Sequence, residues 1–290
     1  VLDLSGKYRG GPQKTFIMRK SYRTSRSLLT LAHVTGMGLK RSDGPVQAIT
    51  RQDGWENIGY EVDGDFRKIG SQATLRRPVD NSPHPMQGEL QPSELISHKS
   101  FESKSDEIDW VSKKIYEDVE QENLNPEQIL VIPLCQKPRA GKQNKESVKE
   151  ELRLNLSEFD IEINAVWEKN NKKFAQDNQV TISGINRAKG NEAASVYVLG
   201  VDAITDETWR DNEIKRRNQL FVALTRSRAW IAISGTNPGS SIHTEITRTI
   251  NEIQSSESQI SFEIPNSQEL DNKLETDTEG LQNATLGDFG

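Results

Sequence analysis

The sequence contains a single cysteine, and this scarcity excludes several kinds of protein. With only Cys135 among its 290 residues, the chain cannot form an internal disulfide, which indicates a reducing compartment. Cys135 lies in an apolar, strand-like run, so we interpret it as a buried structural thiol. The four histidines (His33, His84, His98 and His243) show no ligand spacing with it, and no zinc site is predicted.

Long hydrophobic runs are also missing. No apolar stretch approaches the ~20 residues needed to cross a bilayer, and no signal peptide is evident. We therefore expect a cytoplasmic protein with no membrane partner. The chain begins with Val1 in place of Met, which suggests a fragment of a longer protein.

Positive charge is in deficit, but the deficit is uneven. The net charge is -6 and hydrophobic residues make up 33% of the chain, a low value that predicts surface insertions or a tail. Residues 266–290 contain a single base, Lys273, and six acids: Glu269, Asp271, Glu275, Asp277, Glu279 and Asp288. We predict an acidic, solvated, partly disordered tail there. Nucleic-acid binding by the rest of the chain is not excluded, since binding footprints are local.

The rest of the chain alternates apolar strands with helical segments. Strands are predicted at 15–19, 129–134, 159–165, 179–183, 195–201 and 229–234. Helices are predicted from a cap at Thr24 or Ser25 to Gly36, over 105–121, near 145–157, over 218–225 and near 241–254. Because the strands are apolar throughout and do not alternate, we predict an α/β fold, a parallel sheet with helices on both faces.

Residues 40–100 differ in character from the segments around them. Asp-Gly turn signals separate short strand-like runs, which predicts an inserted β-rich or irregular subdomain. We interpret Trp55, Tyr60 and Phe66 as its small core in preference to base-stacking residues. The predicted domains are a discontinuous α/β domain at 15–39 and 101–254, the insertion at 40–100 and the acidic tail at 255–290.

Polar residues follow or precede several predicted strands. Arg23 follows the first strand, and Gly190 and Glu192 follow the strand at 179–183. Arg226 directly precedes the last strand. Parallel sheets bind ligands at the carboxyl ends of their strands, and arginines paired with an aromatic ring suit a nucleoside triphosphate. The spacing alone also allows ordinary surface ion pairs.

Three short elements resemble those of superfamily 1 helicases of the UvrD/Rep-like group. Ser21-Tyr22-Arg23-Thr24 resembles the N-Y-R-[ST] element, and Ala188-Lys189-Gly190-Asn191-Glu192 resembles A-K-G-x-E. Val222-Ala223-Leu224-Thr225-Arg226-Ser227 is close to V-A-L-T-R-A. The elements occur in the family order within residues 15–35 and 128–235. The resemblance implies the second RecA-like motor domain of an ATP-dependent helicase.

The resemblance also implies roles for individual residues. Tyr22 would stack on the adenine of ATP, and Arg23 would reach the γ-phosphate. The backbone of Gly190 would approach the nucleotide, and Glu192 would bind the ribose. Arg226 would be the arginine finger that stabilises the transferring phosphoryl group. Arg23 and Arg226 are thus the predicted catalytic residues.

A contact with single-stranded DNA or RNA is implied for the segment that follows the 179–183 strand. Its predicted binding residues are Ser183, Asn186 and Arg187. The family usually has His in place of Asn186, which keeps one donor and one acceptor. An acidic pair common before the last element is here Lys215 and Arg216, which we interpret as a solvated basic helix face in preference to a phosphate contact.

One expected element is absent from the sequence. The 290 residues contain no G-x-x-x-x-G-K-[ST] phosphate loop, so the chain resembles the second motor domain alone. A first RecA-like domain, located before Val1 or on another chain, would supply that loop and hold most of the Mg²⁺ contacts. The alternative is a non-catalytic, helicase-like module that binds nucleic acid, or a protein through its insertion or acidic tail.

Overall fold

The structure is a computed structural model, and it describes most of the chain. The described residues are 19–86, 90–134, 145–166, 173–205, 213–256, 258–266 and 270. The predicted strand at 15–19, Cys135 and most of the predicted acidic tail lie outside them. In the described part of the chain, no helix combines the length and the apolar character that crossing a membrane requires.

Strands and helices alternate along most of the described chain. The strands are β1 (Glu61–Asp63), β2 (Gln72–Arg76), β3 (Ile96–Phe101), β4 (Ile129–Pro133), β5 (Glu162–Ala165), β6 (Gln179–Ile182), β7 (Ala193–Leu199), β8 (Ser227–Thr236) and β9 (Gln259–Glu263). The α-helices are α1 (Arg26–Met37), α2 (Gln52–Asn57), α3 (Pro92–Leu95), α4 (Lys104–Glu120), α5 (Lys145–Ser157), α6 (Ile185–Ala188), α7 (Glu213–Leu224) and α8 (Ser241–Ser255). Short 3-10 helices lie at Val79–Asn81, Pro126–Gln128 and Val201–Ile204.

Six strands form a parallel sheet in the order β3-β8-β7-β4-β6-β5. Each neighbouring pair in this order is parallel. Alternate residues of β4 enter different cores: Leu130 and Ile132 pack with α1, α7 and α8, whereas Ile129 and Val131 pack with α4 and α5. The predicted α/β fold, a parallel sheet with helices on both faces, is confirmed.

The helix ahead of the candidate site begins where the sequence predicts. The Ser25 hydroxyl accepts a hydrogen bond from the Leu28 backbone N–H at 3.4 Å and so caps α1. Leu28, Leu31 and Ala32 are buried in the core. This packing fixes α1 on the sheet face that it shares with α7 and α8, and α1 in turn fixes the chain direction of the preceding residues.

A second, antiparallel sheet joins the predicted insertion to the residues after α8. Its order is β1-β2-β9, and β2 pairs with β9 so that Ala73 lies opposite Phe262 and Leu75 lies opposite Ile260. All four of these side chains are buried in the core. Trp55 and Tyr60 are buried beside them, and Phe66 packs on the same cluster. The three aromatic residues are therefore core residues as predicted, but they belong to the large core shared with α1, α7 and α8 and not to a separate small core of the insertion.

Two strands pair with residues outside the domains to which the sequence analysis assigned them. The division into domains itself stays a prediction. β3, assigned to the insertion at 40–100, is an edge strand of the parallel sheet beside β8. β9, assigned to the tail at 255–290, is paired with β2. Strand pairing joins residues that are far apart in the chain, so composition alone did not locate these two strands.

Charged residues of α7 are buried in the packing between helices. The Arg217 guanidinium donates to both carboxylate oxygens of Glu245, at 2.7 and 3.0 Å, and to the Thr35 backbone oxygen at 2.6 Å. Arg216 is only 8% exposed and donates to the Ala203 backbone oxygen at 2.9 Å. The interpretation of a solvated basic face was therefore wrong for Arg216, whereas Lys215 is exposed.

Glu107 is a buried acid near the carboxyl ends of β7 and β8. Its Oε1 accepts hydrogen bonds from the Gly200 N–H at 3.0 Å and the Ser234 hydroxyl at 2.7 Å. Its Oε2 has no hydrogen-bond partner among the described residues. Burial is the main cause that raises the pKa of Glu107 to about 6, from 4.5. The folded protein therefore holds this proton more tightly than the unfolded chain does.

This raised pKa gives a pH-dependent loss of stability. Between about pH 4.5 and pH 6 the native state keeps the Glu107 proton while the unfolded chain loses it, so the free energy of unfolding falls as pH rises. Above pH 6 the buried charge of Glu107 should lower the free energy of unfolding by about 2 kcal/mol, and Glu107→Gln should abolish this decrease. Urea unfolding of both proteins across this range measures the difference. Parallel pH profiles for the two would contradict it.

Candidate functional site

The three predicted sequence elements meet at one place in the fold. Arg23, just ahead of α1, donates from Nη1 to Oε1 of Glu192 at 2.8 Å, although the two residues lie 169 positions apart. Arg226, between α7 and β8, donates from Nη1 to the backbone oxygen of Asn191 at 3.4 Å. The structure therefore brings Arg23, Glu192 and Arg226 together, as the resemblance implied.

The turn at the end of α7 sets the position of Arg226. Its backbone N–H donates to the Ala223 oxygen at 3.1 Å, and its own oxygen accepts from the Ala193 N–H at 3.1 Å. The first bond closes the turn after α7, and the second ties it to the start of β7. Arg226 therefore lies beside the loop that contains Glu192 because two secondary-structure elements hold its backbone there.

The guanidinium of Arg226 faces the surrounding loops. The residue is 8% exposed, and its Nε donates to the Val222 oxygen at 3.0 Å while Nη2 donates to the Thr225 hydroxyl at 3.3 Å. Burial is the main cause that lowers the pKa of Arg226; the positive charge of Arg23 lowers it further, and Glu192 opposes the shift. The charge of Arg226 therefore interacts with both Arg23 and Glu192, and the carboxylate of Glu192 partly offsets the repulsion between the two arginines.

Tyr22 is exposed at the edge of this cluster. Its side chain belongs to the few large apolar groups that face solvent, with 63% exposure. Tyr22 is therefore not packed into the core. Arg23 and Glu192 are partly exposed, at 47% and 30% of their side chains. An open aromatic face beside a partly exposed ion pair leaves room for a planar, anionic ligand.

Gly190 provides an open stretch of backbone in the same loop. Its φ is +92°, in the region that favours glycine, and a Cβ added there would meet no atom within 4 Å. The space beside this backbone is therefore empty of protein atoms among the described residues. A ligand can approach the main chain closely at this position, as the sequence prediction requires.

The predicted nucleic-acid contacts are divided between surface and interior. Asn186 and Arg187 lie on the short helix α6, and both are exposed. Ser183 is 0% exposed; its N–H donates to the Val131 oxygen at 2.9 Å and its hydroxyl donates to the Gly184 oxygen at 3.1 Å. Two of the three predicted side chains are therefore exposed to solvent. Ser183, directly after β6, is buried against β4.

Residues from the predicted insertion reach the site, and the sequence prediction missed them. His84 lies near Arg23 and Arg228: burial is the main cause that lowers its pKa, and the positive charge of Arg228 lowers it further. The Asn81 oxygen accepts a hydrogen bond from the Ser21 N–H at 2.8 Å. Neither residue matches a family element. Because both are far from the other site residues in the sequence, no local pattern predicted that they would lie near the site.

No cluster of three His, Cys, Asp or Glu side chains that could hold a metal ion occurs within the described ranges. The acidic member of the site, Glu192, is paired with Arg23. The chemistry these groups support is therefore recognition of an anionic, aromatic ligand by arginines, a ring and open backbone.

Three comparisons with known proteins were made. Residues 179–234 match the family model of the UvrD-like helicase C-terminal domain. A similar solved structure is the C-terminal domain of a possible DNA helicase from Lactobacillus plantarum WCFS1, at 13% identity and a TM-score of 0.39, covering 54% of this chain and 83% of that one. Comparison with curated proteins gives no match. This family match covers residues 179–234 only, and over that stretch the chain is similar to a UvrD-like helicase C-terminal domain.

Proposed function

We propose that this chain is the C-terminal motor domain of an ATP-dependent helicase or translocase and supplies one half of its ATP site. The observation that carries the proposal is the meeting of Arg23, Glu192 and Arg226 beside an exposed Tyr22. Gly190 adds an open backbone at the same place. A domain with a phosphate loop, from the same or another chain, would close the site and hold Mg²⁺.

Each group would then act on a different part of the nucleotide. Tyr22 would stack on the base, and Glu192 would accept a hydrogen bond from the ribose. Arg23 would bind the γ-phosphate, and Arg226 would stabilise the charge that develops during phosphoryl transfer. These side chains would bind and orient the nucleotide, whereas Mg²⁺, held mainly by the phosphate-loop domain, would supply positive charge for the phosphates.

The ion pair between Arg23 and Glu192 must open for this assignment to work. In ATP the ribose and the γ-phosphate are separated by two other phosphates, so one pair of touching side chains cannot bind both at once. Because the pair is partly exposed, its contribution is only about 0–1 kcal/mol. Phosphate contacts can readily replace it, so nucleotide binding would separate the two side chains.

The same proposal places single-stranded nucleic acid, most simply DNA, next to α6. Asn186 and Arg187 are exposed there, on the short helix that directly precedes the Gly190 loop. Movement of this loop on nucleotide binding would shift α6 and change the affinity for the nucleic-acid strand. Binding through such contacts falls with rising salt, because backbone phosphates release counterions. A cytoplasmic location remains part of the same hypothesis.

Tyr22→Ala tests the stacking role directly. Loss of base stacking, which contributes on the order of 1–3 kcal/mol, should raise the KM for ATP about ten-fold and change kcat little. Tyr22→Phe is the matched control, since it keeps the ring and should behave as the native protein does. The measurement is steady-state ATP hydrolysis by the native protein with single-stranded DNA present. An unchanged KM in Tyr22→Ala would contradict the proposed site.

A second function is favoured by one sequence observation. The 290 residues contain no phosphate loop, so a helicase-like module that binds nucleic acid or protein without hydrolysing ATP also fits. Such a module would bind single-stranded DNA with an affinity that ATP and ADP do not change. Fluorescence anisotropy of a labelled oligonucleotide, with and without nucleotide, separates the two functions.

A further inference from the structure

Arg77 is a buried arginine with neutral hydrogen-bond partners. It directly follows β2 and is 1% exposed. Nε donates to the Ser82 hydroxyl at 2.6 Å, and Nη1 donates to the Ile58 oxygen at 2.7 Å. Nη2 donates to the oxygens of Arg19 and Asn81, at 3.0 and 2.8 Å. One guanidinium therefore joins three chain segments, one of which lies directly ahead of the candidate site.

A charge buried in this way needs a reason, because removing a cation from water is costly. The Arg77 guanidinium also lies over the Tyr60 ring, 5.3 Å from its centroid, but this attraction recovers only part of the cost. The planar fork of arginine can satisfy four acceptors at fixed angles, which the single ammonium of lysine cannot do. The arrangement thus exploits geometry that arginine alone provides.

The segment that Arg77 holds is the backbone just ahead of Tyr22. Besides the bond to the Arg19 oxygen, the Ser21 N–H donates to the Asn81 oxygen at 2.8 Å. Gly59 has a φ of +98°, and a Cβ there would lie 2.3 Å from the Arg19 oxygen. Only glycine permits this close approach of the two main chains. Residues 19–21 are therefore held from one side by the predicted insertion.

Tyr22 depends on this support more than a packed residue would. Its ring is 63% exposed, so packing of its own side chain contributes little to its position. The backbone of residues 19–21 and the start of α1 must place it instead. Arg23 follows at once, and its pairing with Glu192 depends on the same backbone path.

We propose that Arg77 is a positioning residue for the ATP site, acting through the backbone of residues 19–21 to place Tyr22 and Arg23. The inference rests on the proposed function. Arg77 belongs to the segment 40–100, which lies outside the three sequence elements, so the proposal gives this segment a role in nucleotide binding. A misplaced ring can lose at most what the whole ring contributes, so the effect of Arg77 on nucleotide binding should approach the roughly ten-fold loss expected for Tyr22→Ala.

The first test measures how strongly Arg77 stabilises the backbone of residues 19–21, and it does not involve ATP. In Arg77→Lys, hydrogen exchange of the Ser21 amide should accelerate at least about ten-fold, because its bond to Asn81 loses support. The control is Arg76→Lys, a neighbouring exposed arginine paired with Glu61, which should leave that exchange unchanged. If Arg77→Lys does not fold, Ser82→Ala removes one of the four contacts and should show a smaller acceleration. Unchanged exchange in a folded variant would overturn the inference.

The second test asks whether the effect passes through Tyr22. ADP lacks the γ-phosphate, so its affinity, measured by calorimetry on the native protein, reports stacking without the Arg23 contact. Arg77→Lys should weaken ADP binding about ten-fold, and the same change in a Tyr22→Ala background should have almost no further effect. A full additional loss in that background would show a general structural role and overturn the inference.

The two tests separate failure of the inference from failure of the proposed function. If Tyr22→Ala leaves ADP affinity unchanged, the assigned ATP site is wrong, and the positioning role falls with it. If Tyr22→Ala weakens binding but Arg77→Lys does not, the ATP site stands and Arg77 has no positioning role.

Discussion

Arg226→Ala is expected to lower ATP turnover by about 10³–10⁵-fold, the range found for removal of an arginine finger, while the protein stays folded. The fold should survive because the hydrogen bonds that the structure gives the Arg226 side chain go to Val222, Thr225 and the Asn191 oxygen. The turn itself is also held by backbone bonds to Ala223 and Ala193. Steady-state hydrolysis with single-stranded DNA measures turnover, and circular dichroism with thermal unfolding checks the fold.

The control for this substitution is an exposed arginine on α8. Arg248→Ala changes a residue outside the three sequence elements and should leave turnover within about two-fold, since surface substitutions away from a site have small effects. Arg226→Lys keeps the charge but loses the planar fork, so most of the activity should still be lost. Hydrolysis retained in Arg226→Ala would remove Arg226 from the catalytic assignment.

Arg217→Ala should destabilise the domain by about 3–5 kcal/mol, because it leaves a buried carboxylate without its partner. Arg217 donates to both oxygens of Glu245 and to Glu213 at 2.7 Å. Its bond to the Thr35 oxygen adds a link to α1. The single side chain therefore joins α1, α7 and α8, the helices on the sheet face nearest the candidate site.

Urea unfolding measures this loss as a lower midpoint at unchanged slope. The matched control is the double variant Arg217→Met/Glu245→Met, which removes both charges and should recover most of the lost stability. A loss below about 1 kcal/mol in Arg217→Ala would show that solvent reaches the pair and that its burial contributes little.

The parallel sheet was predictable from the sequence because its strands are apolar on both faces. β4, predicted at 129–134, spans Ile129–Pro133, and its buried neighbours follow the same pattern. The cap of α1 at Ser25 was predictable for a local reason, since its bond reaches only to Leu28. Structural features that depend on residues close in sequence, or on a strand buried on both faces, can therefore be recognised in the sequence itself.

The features that sequence analysis missed depend on contacts between distant segments. β3 and β9 are short and of mixed polarity, and their partners in the sheets lie far away in the chain. Arg77 and His84 match no family element, and what they contact is visible only in the fold. Burial of Ser183 follows from its bond to β4, which its own sequence context does not indicate.

ATP hydrolysis by the native assembly of this chain with its phosphate-loop domain, with and without single-stranded DNA, tests the central claim most directly. If the chain supplies half of a helicase ATP site, hydrolysis should be stimulated by the DNA and should disappear in Arg226→Ala. If the protein binds single-stranded DNA with no hydrolysis and no effect of nucleotide on affinity, the claim is contradicted. The non-catalytic binding module would then be the function of this domain.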